Sequence, residues 1–157
     1  MCYLGLTLDC CYLEVLHDEV VQDAAPGAQL TINEATIRQY KAAISKATEP
    51  LVLAQLADQG LAQLGVDQRL TAGNDYAISM EWSEAIHEDH PIVDGIIYAS
   101  RHDNLSYSVA LFERSKHKMA WTEIGRLRDP RIPDLSAEIK RILDKYGVQL
   151  IPDFPIT

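Results

Sequence analysis

Positive charge is scarce in this sequence. Fourteen Lys and Arg stand against twenty-three Asp and Glu over 157 residues, a formal net charge of −9, and a surface of that sign repels a nucleic-acid backbone instead of displacing its counterions. No direct nucleic-acid partner is expected. A small anionic ligand stays open, because a local pocket of arginine and backbone N–H groups overrides the average field. Cysteine is rarer still. Cys2, Cys10 and Cys11 are odd in number and crowded together at the start, which gives no disulfide framework and points to a reducing cytoplasm. Long apolar runs are missing too: "MCYLGLTLDCCYLEVL" has no basic leader, and Asp9 and Glu14 break it well short of a bilayer span. Neither a targeting segment nor a membrane partner is expected.

Chemical signatures are equally thin. Cys10, Glu14, His17, His87 and His90 are metal-ligating residue types, yet none has the paired CxxC or HExxH spacing, so no metal is expected. No GxSxG elbow surrounds Ser100, and Ser100 and His102, at i and i+2 of an extended chain, point in parallel and not at each other. Ser100 is better suited to hydrogen bonding than to attack. Repeats, low-complexity tracts and long linkers are also absent.

What is present is a hydrophobic fraction of 47%, enough at this length for a single globular domain with its own core. "CYLGL" (2–6) reads as a buried strand, with Thr7 as N-cap of a helix running to about Asp18. "APGA" forms a turn, "QLTIN" a short strand, and a helix follows from about Glu34 to Lys46. "EPLVLAQL" (49–56) is a further strand. A short helical piece ended by Gly65 and a polar turn at 71–75 come next. Residues 74–89 pattern as an amphipathic helix capped by Asn74, with Ile78, Trp82, Ala85 and Ile86 at helical spacing. The strands "GIIYA" and "YSVALF", a third near "MAWTEIGRL", a helix from about Leu135 to Tyr146 and a final "VQLI" complete the chain. Strands and helices mix without strict βαβ alternation, which favours an α+β architecture over a doubly wound one.

Two places invite a ligand. Ser100, Arg101, His102 and Asp103 follow one another where the apolar strand "GIIYA" ends; Ser100 reads as a ligand contact and the other three as a solvated hairpin turn. On the first helix Leu8, Cys11, Tyr12, Val15 and Leu16 make an apolar stripe, and Cys10, Glu14 and His17 fall opposite it at i, i+4 and i+7. That second face is either solvated or turned to a cleft, where Glu14 would accept a hydrogen bond from a ligand hydroxyl.

"YLGLTLDCCYLEVLHDE", "GLAQLGVDQRLTAGNDYAISMEWSEAIH" and "GIIYASRHD" followed by "SYSVALFERS" resemble, in this order, the RES domain family, the toxin half of bacterial Xre–RES toxin–antitoxin pairs. The resemblance spans nearly the whole chain. It implies a fold similar to ADP-ribosyltransferases, NAD as a substrate and not a resident cofactor, and cleavage of the nicotinamide N-glycosidic bond, with phosphate as acceptor in some members. It also implies an Xre-type antitoxin partner that carries the DNA-binding element, and pairing of the chain with a second copy. The family takes its name from an arginine, a glutamate and a serine. Glu14 matches the glutamate, Ser100 the serine, and Tyr3 an aromatic position on the cleft.

The family arginine lies N-terminal to the strand that "CYLGL" resembles, on a segment not found here, so the expectation is an N-terminally shortened member. Arg101, Arg114 and Arg38 are the arginines that could stand in. Without that group the pyrophosphate would lose on the order of 1.5 to 3 kcal/mol of charge-assisted binding, roughly tenfold to more than a hundredfold in affinity. The resemblance therefore leaves three functions open: an NAD-degrading toxin acting by phosphorolysis or hydrolysis, a catalytically impaired module that binds an antitoxin or itself, and a protein ADP-ribosyltransferase.

Overall fold

The computed structural model describes residues 1–21, 24–67, 70, 76–100 and 105–153. Helices and mixed sheets alternate irregularly, an α+β chain. It divides into two compact units, Met1–Glu14 with Ala47–Ala120, and Val15–Lys46 with Trp121–Thr157.

The first unit is built on a four-stranded sheet in the order β1 (Cys2–Gly5), β6 (Tyr107–Leu111), β5 (Gly95–Ala99), β4 (Leu53–Leu56). Only β4 and β5 run parallel; β5 with β6 and β6 with β1 are antiparallel. The helices α4 (Asp58–Leu64) and α5 (Tyr76–Asp89) belong to this unit together with nearly all of the first helix, and α4 ends where the sequence predicts, on Gly65 at φ 69°, a left-handed conformation that glycine takes without strain. Leu56, Leu61, Leu70, Ile96 and Phe112 form the core here, with Trp82 and Ile86 of α5 packed against it. Ile78 and Ala85, expected on the same apolar face, are exposed. Asn74 and the turn at 71–75 lie outside the described residues.

Asp94 clasps the entrance of β5. Its carboxylate is buried and accepts from the Val52 N–H at 2.8 Å and the Ser115 hydroxyl at 2.9 Å, while Lys118 Nζ closes an ion pair at 2.8 Å. Desolvation pushes this carboxyl up, but the hydrogen bonds from Lys118, Val52 and Ser115 outweigh it and hold Asp94 below the usual carboxylate range.

The second unit pairs β2 (Leu30–Asn33) in parallel with β8 (Val148–Ile151), and β3 (Lys41–Ala47) with β7 (Met119–Arg126). The helices α2 (His17–Val21), α3 (Glu34–Gln39) and α6 (Pro133–Lys145) accompany them; α6 starts on Pro133 and buries Leu135, Ile139, Ile142 and Leu143 at helical spacing.

Four expectations are corrected. The helix expected over 34–46 stops at Gln39, and 41–47 is strand β3, because pairing with β7 and a Lys41–Glu123 ion pair at 2.9 Å override the helical propensity of "KAAISKA". The first helix, α1 (Leu8–Val15), is interrupted at Leu16 before α2 resumes. Strand β4 starts at Leu53, so its N-terminal half was expected too early. Strand β1 is a sheet edge, with Cys2 and Tyr3 exposed, not a buried core strand.

Candidate functional site

The site starts with how α1 is seated on its sheet. Thr7 caps the helix as its sequence position suggests, its Oγ1 accepting from the Cys10 N–H at 3.1 Å. Gly5 then lets the first turn approach β1: a side chain there would put its Cβ 2.8 Å from the Cys11 backbone nitrogen and 2.7 Å from Cys11 Sγ. With the helix so close, Cys10 is fully buried, its Sγ 3.2 Å from Ser108 Oγ and 3.4 Å from the Tyr107 carbonyl. The face of α1 that carries Cys10 is thus packed; Tyr12 and Leu16 of the expected apolar stripe are buried as well, and Val15 of that stripe is half-exposed. A cysteine thiol packs as a small hydrophobe, which the polar look of the Cys10, Glu14, His17 row conceals.

Glu14 stands one turn beyond Cys10 on that face. Its Oε1 is buried and has no hydrogen-bond partner among the described residues. A buried carboxylate oxygen left open is costly in an isolated fold, and such groups are kept where a ligand or water completes them.

Facing α1, the sheet supplies hydroxyls. Ser108 of β6 is paired with Gly5 on one side and Tyr98 of β5 on the other, so the three share a row; Tyr3, Ala110 and Ile96 form the next row on the same face. Burial pushes the Tyr98 phenol up, the negative charge of Glu14 pushes it further, Ser108 partly opposes by hydrogen bonding, and Tyr3 and Cys10 add smaller upward contributions. Tyr98 is therefore a neutral phenol, able to donate a hydrogen bond. Ser100 is fully buried, and its N–H donates to the Ser106 carbonyl at 2.8 Å, which carries the β5–β6 ladder one pair further. Alternation puts Ser100 on the face of Tyr98.

Of the residues singled out in the sequence, Tyr3 and Glu14 thus both reach Tyr98 electrostatically, and Ser100 follows Tyr98 on the same strand face. Tyr3 is largely exposed at the sheet edge. Burial pushes the thiols of Cys10 and Cys11 up, which keeps them protonated and poor nucleophiles. Arg101, His102 and Asp103 lie outside the described residues. Arg114 donates to the His87 carbonyl and sits 5.2 Å over the Phe112 ring, and Arg38 belongs to the second unit, in an ion pair with Glu34 at 3.0 Å. Among the described residues no group of three or more His, Cys, Asp or Glu is placed to hold a metal ion, and no helix is long and apolar enough to cross a membrane. Tyr98 and Ser108 were not anticipated. Tyr98 was within reach, two positions before Ser100 in the same strand; Ser108 needed the hairpin register.

The first helix thus places a partly buried carboxylate, one oxygen of it fully buried, beside a sheet bearing tyrosine and serine hydroxyls in an α+β chain. The chain belongs to the RES domain family, whose model matches residues 1–133 and so includes Tyr3, Glu14, Tyr98, Ser100 and Ser108. It is similar to a probable toxin, y4kH, of Sinorhizobium fredii, with 29% identity over 122 residues that cover 76% of this chain and 90% of that protein. No solved structure matches the chain.

Proposed function

We propose that the Glu14 site binds NAD and cleaves the bond between nicotinamide and ribose, and that the chain is the toxin of a toxin–antitoxin pair. The observation that carries this is the buried, unpartnered Glu14 Oε1 beside the neutral Tyr98 phenol, in a RES domain chain similar to a probable toxin. In the cleavage the C1′–N electron pair stays with the departing nicotinamide, which becomes neutral, and an oxocarbenium-like cation develops on the ribose. Glu14 stabilises that cation or holds the ribose hydroxyls, Tyr98 and Ser100 donate to ribose oxygens, and Tyr3 covers the ligand with its ring. A phosphate oxygen, or water with loss of a proton, then bonds C1′. A protein side chain as acceptor would make the same step an ADP-ribosyl transfer.

The partner on this reading is an antitoxin of the Xre type, and a second copy of the chain is a further partner. Glu14→Gln tests the assignment: the variant keeps the thermal midpoint of the parent and releases no nicotinamide from NAD, whereas parental release by the variant removes Glu14 from the chemistry.

A further inference from the structure

The second unit carries a cluster of different composition. The turn that follows β7, "RLRDPR" at 126–131, and Arg38 of α3 line a cavity of about 400 Å³, within the range of small-molecule sites, about 300–1,000 Å³. Four of its lining residues are arginines, in a chain whose net charge is −9.

Their charge is under-neutralised. Glu34 serves two guanidinium groups at once, Arg38 at 3.0 Å and Arg128 at 3.4 Å. Arg131 closes on Asp129 as a fork, Nε to Oδ1 at 3.0 Å and Nη2 to Oδ2 at 2.7 Å, and Asp153 stands 3.5 Å from Arg38. Arg126 makes no direct ion pair among those described, although its charge helps hold Asp129 ionised; its Nη1 donates to the Arg38 carbonyl at 3.1 Å. The turn is held by Asp129 N–H to Arg126 O at 3.2 Å and Ile132 N–H to Asp129 O at 2.9 Å. At its centre Arg128 sits at φ 63°, a left-handed conformation that glycine adopts freely and a side chain resists. The Arg128 side chain is held by Glu34 and by the Ser136 carbonyl, Nη1 to O at 3.5 Å.

We infer that this arginine turn is a binding site for a small phosphate-bearing anion, a phosphate ester or a pyrophosphate. Guanidinium forks match the oxygens of phosphate bidentately, and several converging on one cavity suit a dianion or trianion better than a single carboxylate, which one fork already satisfies. The volume leaves room for an organic group attached to the phosphate.

The test is calorimetric titration of the whole chain with inorganic pyrophosphate and, separately, ribose 5-phosphate, at about 0.15 M salt, where diffuse surface attraction is screened. The expected result is saturable binding at one site, weakened at least tenfold in Arg126→Ala and in Arg128→Gly, which removes a guanidinium while suiting the backbone. Arg141→Ala, on the far side of a Glu138 ion pair in α6, should stay within twofold of the parent. Glu14→Gln should also stay within twofold, which separates this site from the proposed NAD pocket. Absence of binding by both probes overturns the inference. So does equal weakening by Arg141→Ala, which would mean diffuse charge only, or loss of binding in Glu14→Gln, which would locate the anion in the other pocket. Tighter binding of ribose 5-phosphate than of pyrophosphate identifies a phosphate ester as the ligand, and the reverse order a pyrophosphate.

Discussion

Glu14, Tyr98 and Ser100 carry the account at the scale of the residue, and each is separable by substitution. Tyr98→Phe removes one hydroxyl from a half-buried ring without changing its shape. The neutral phenol is a donor to the ribose on the proposed reading, so its loss is expected to lower kcat/KM for NAD about tenfold, the worth of one hydrogen bond, with the thermal midpoint within a few degrees of the parent. Parental kcat/KM would return Tyr98 to a packing role. Ser100→Ala should weaken NAD in titration calorimetry by about five- to tenfold for the same reason, and an unchanged Kd would make Ser100 a buried ladder residue only. Glu14 and Ser100 were legible in the sequence through family resemblance and through their positions on a helix face and at a strand end. Tyr98 and Ser108 were not singled out, because membership of a cross-strand row depends on hairpin register, which neither strand shows alone.

The element that positions the site is α1, and what positions α1 is Gly5. Adding one methyl in Gly5→Ala drives a Cβ against the Cys11 backbone, which cannot swing aside as a long side chain would. The expected cost is about 1–3 kcal/mol in urea unfolding, with NAD turnover falling as Glu14 is displaced; a variant as stable as the parent would show that the helix seat is looser than described. Elements whose information is local were legible. The helix α6 follows from Leu135, Ile139, Ile142 and Leu143 and from Pro133 at its start, and α4 from Gly65 at its end. Those decided by distant partners were not: 41–47 carries helix-forming residues, and it becomes a strand because β7, far along the chain, offers a ladder and Glu123 for Lys41. The burial of Cys10 has the same origin. Cys10 looked like part of a polar face until Ser108 and the Tyr107 carbonyl, from the other end of the first unit's sequence, were laid against it.

Across the molecule as a whole, acidity is the dominant property, and one buried carboxylate makes stability respond to it. Asp94 is held below the usual carboxylate range in the folded state and returns to about 3.9 when unfolded. Its stabilisation is therefore complete above the unfolded value and is lost as pH falls through the folded one. Asp94→Asn should cost about 3 kcal/mol at pH 7, since Lys118 is left without its counter-charge, and the gap to the parent should narrow in acid; a gap of constant size down to pH 3 would mean that shape, not charge, is what Asp94 contributes. The acidic surface also agrees with a protein that leaves DNA contact to a partner. The central question is whether Glu14 and its neighbours form a working site. Nicotinamide release from NAD by the purified chain, followed by chromatography with and without phosphate, tests that most directly. Release is expected, faster with phosphate if phosphate is the acceptor. No release in either condition, from a chain shown by circular dichroism to be folded, would contradict the proposal and leave a RES domain protein that binds without cleaving.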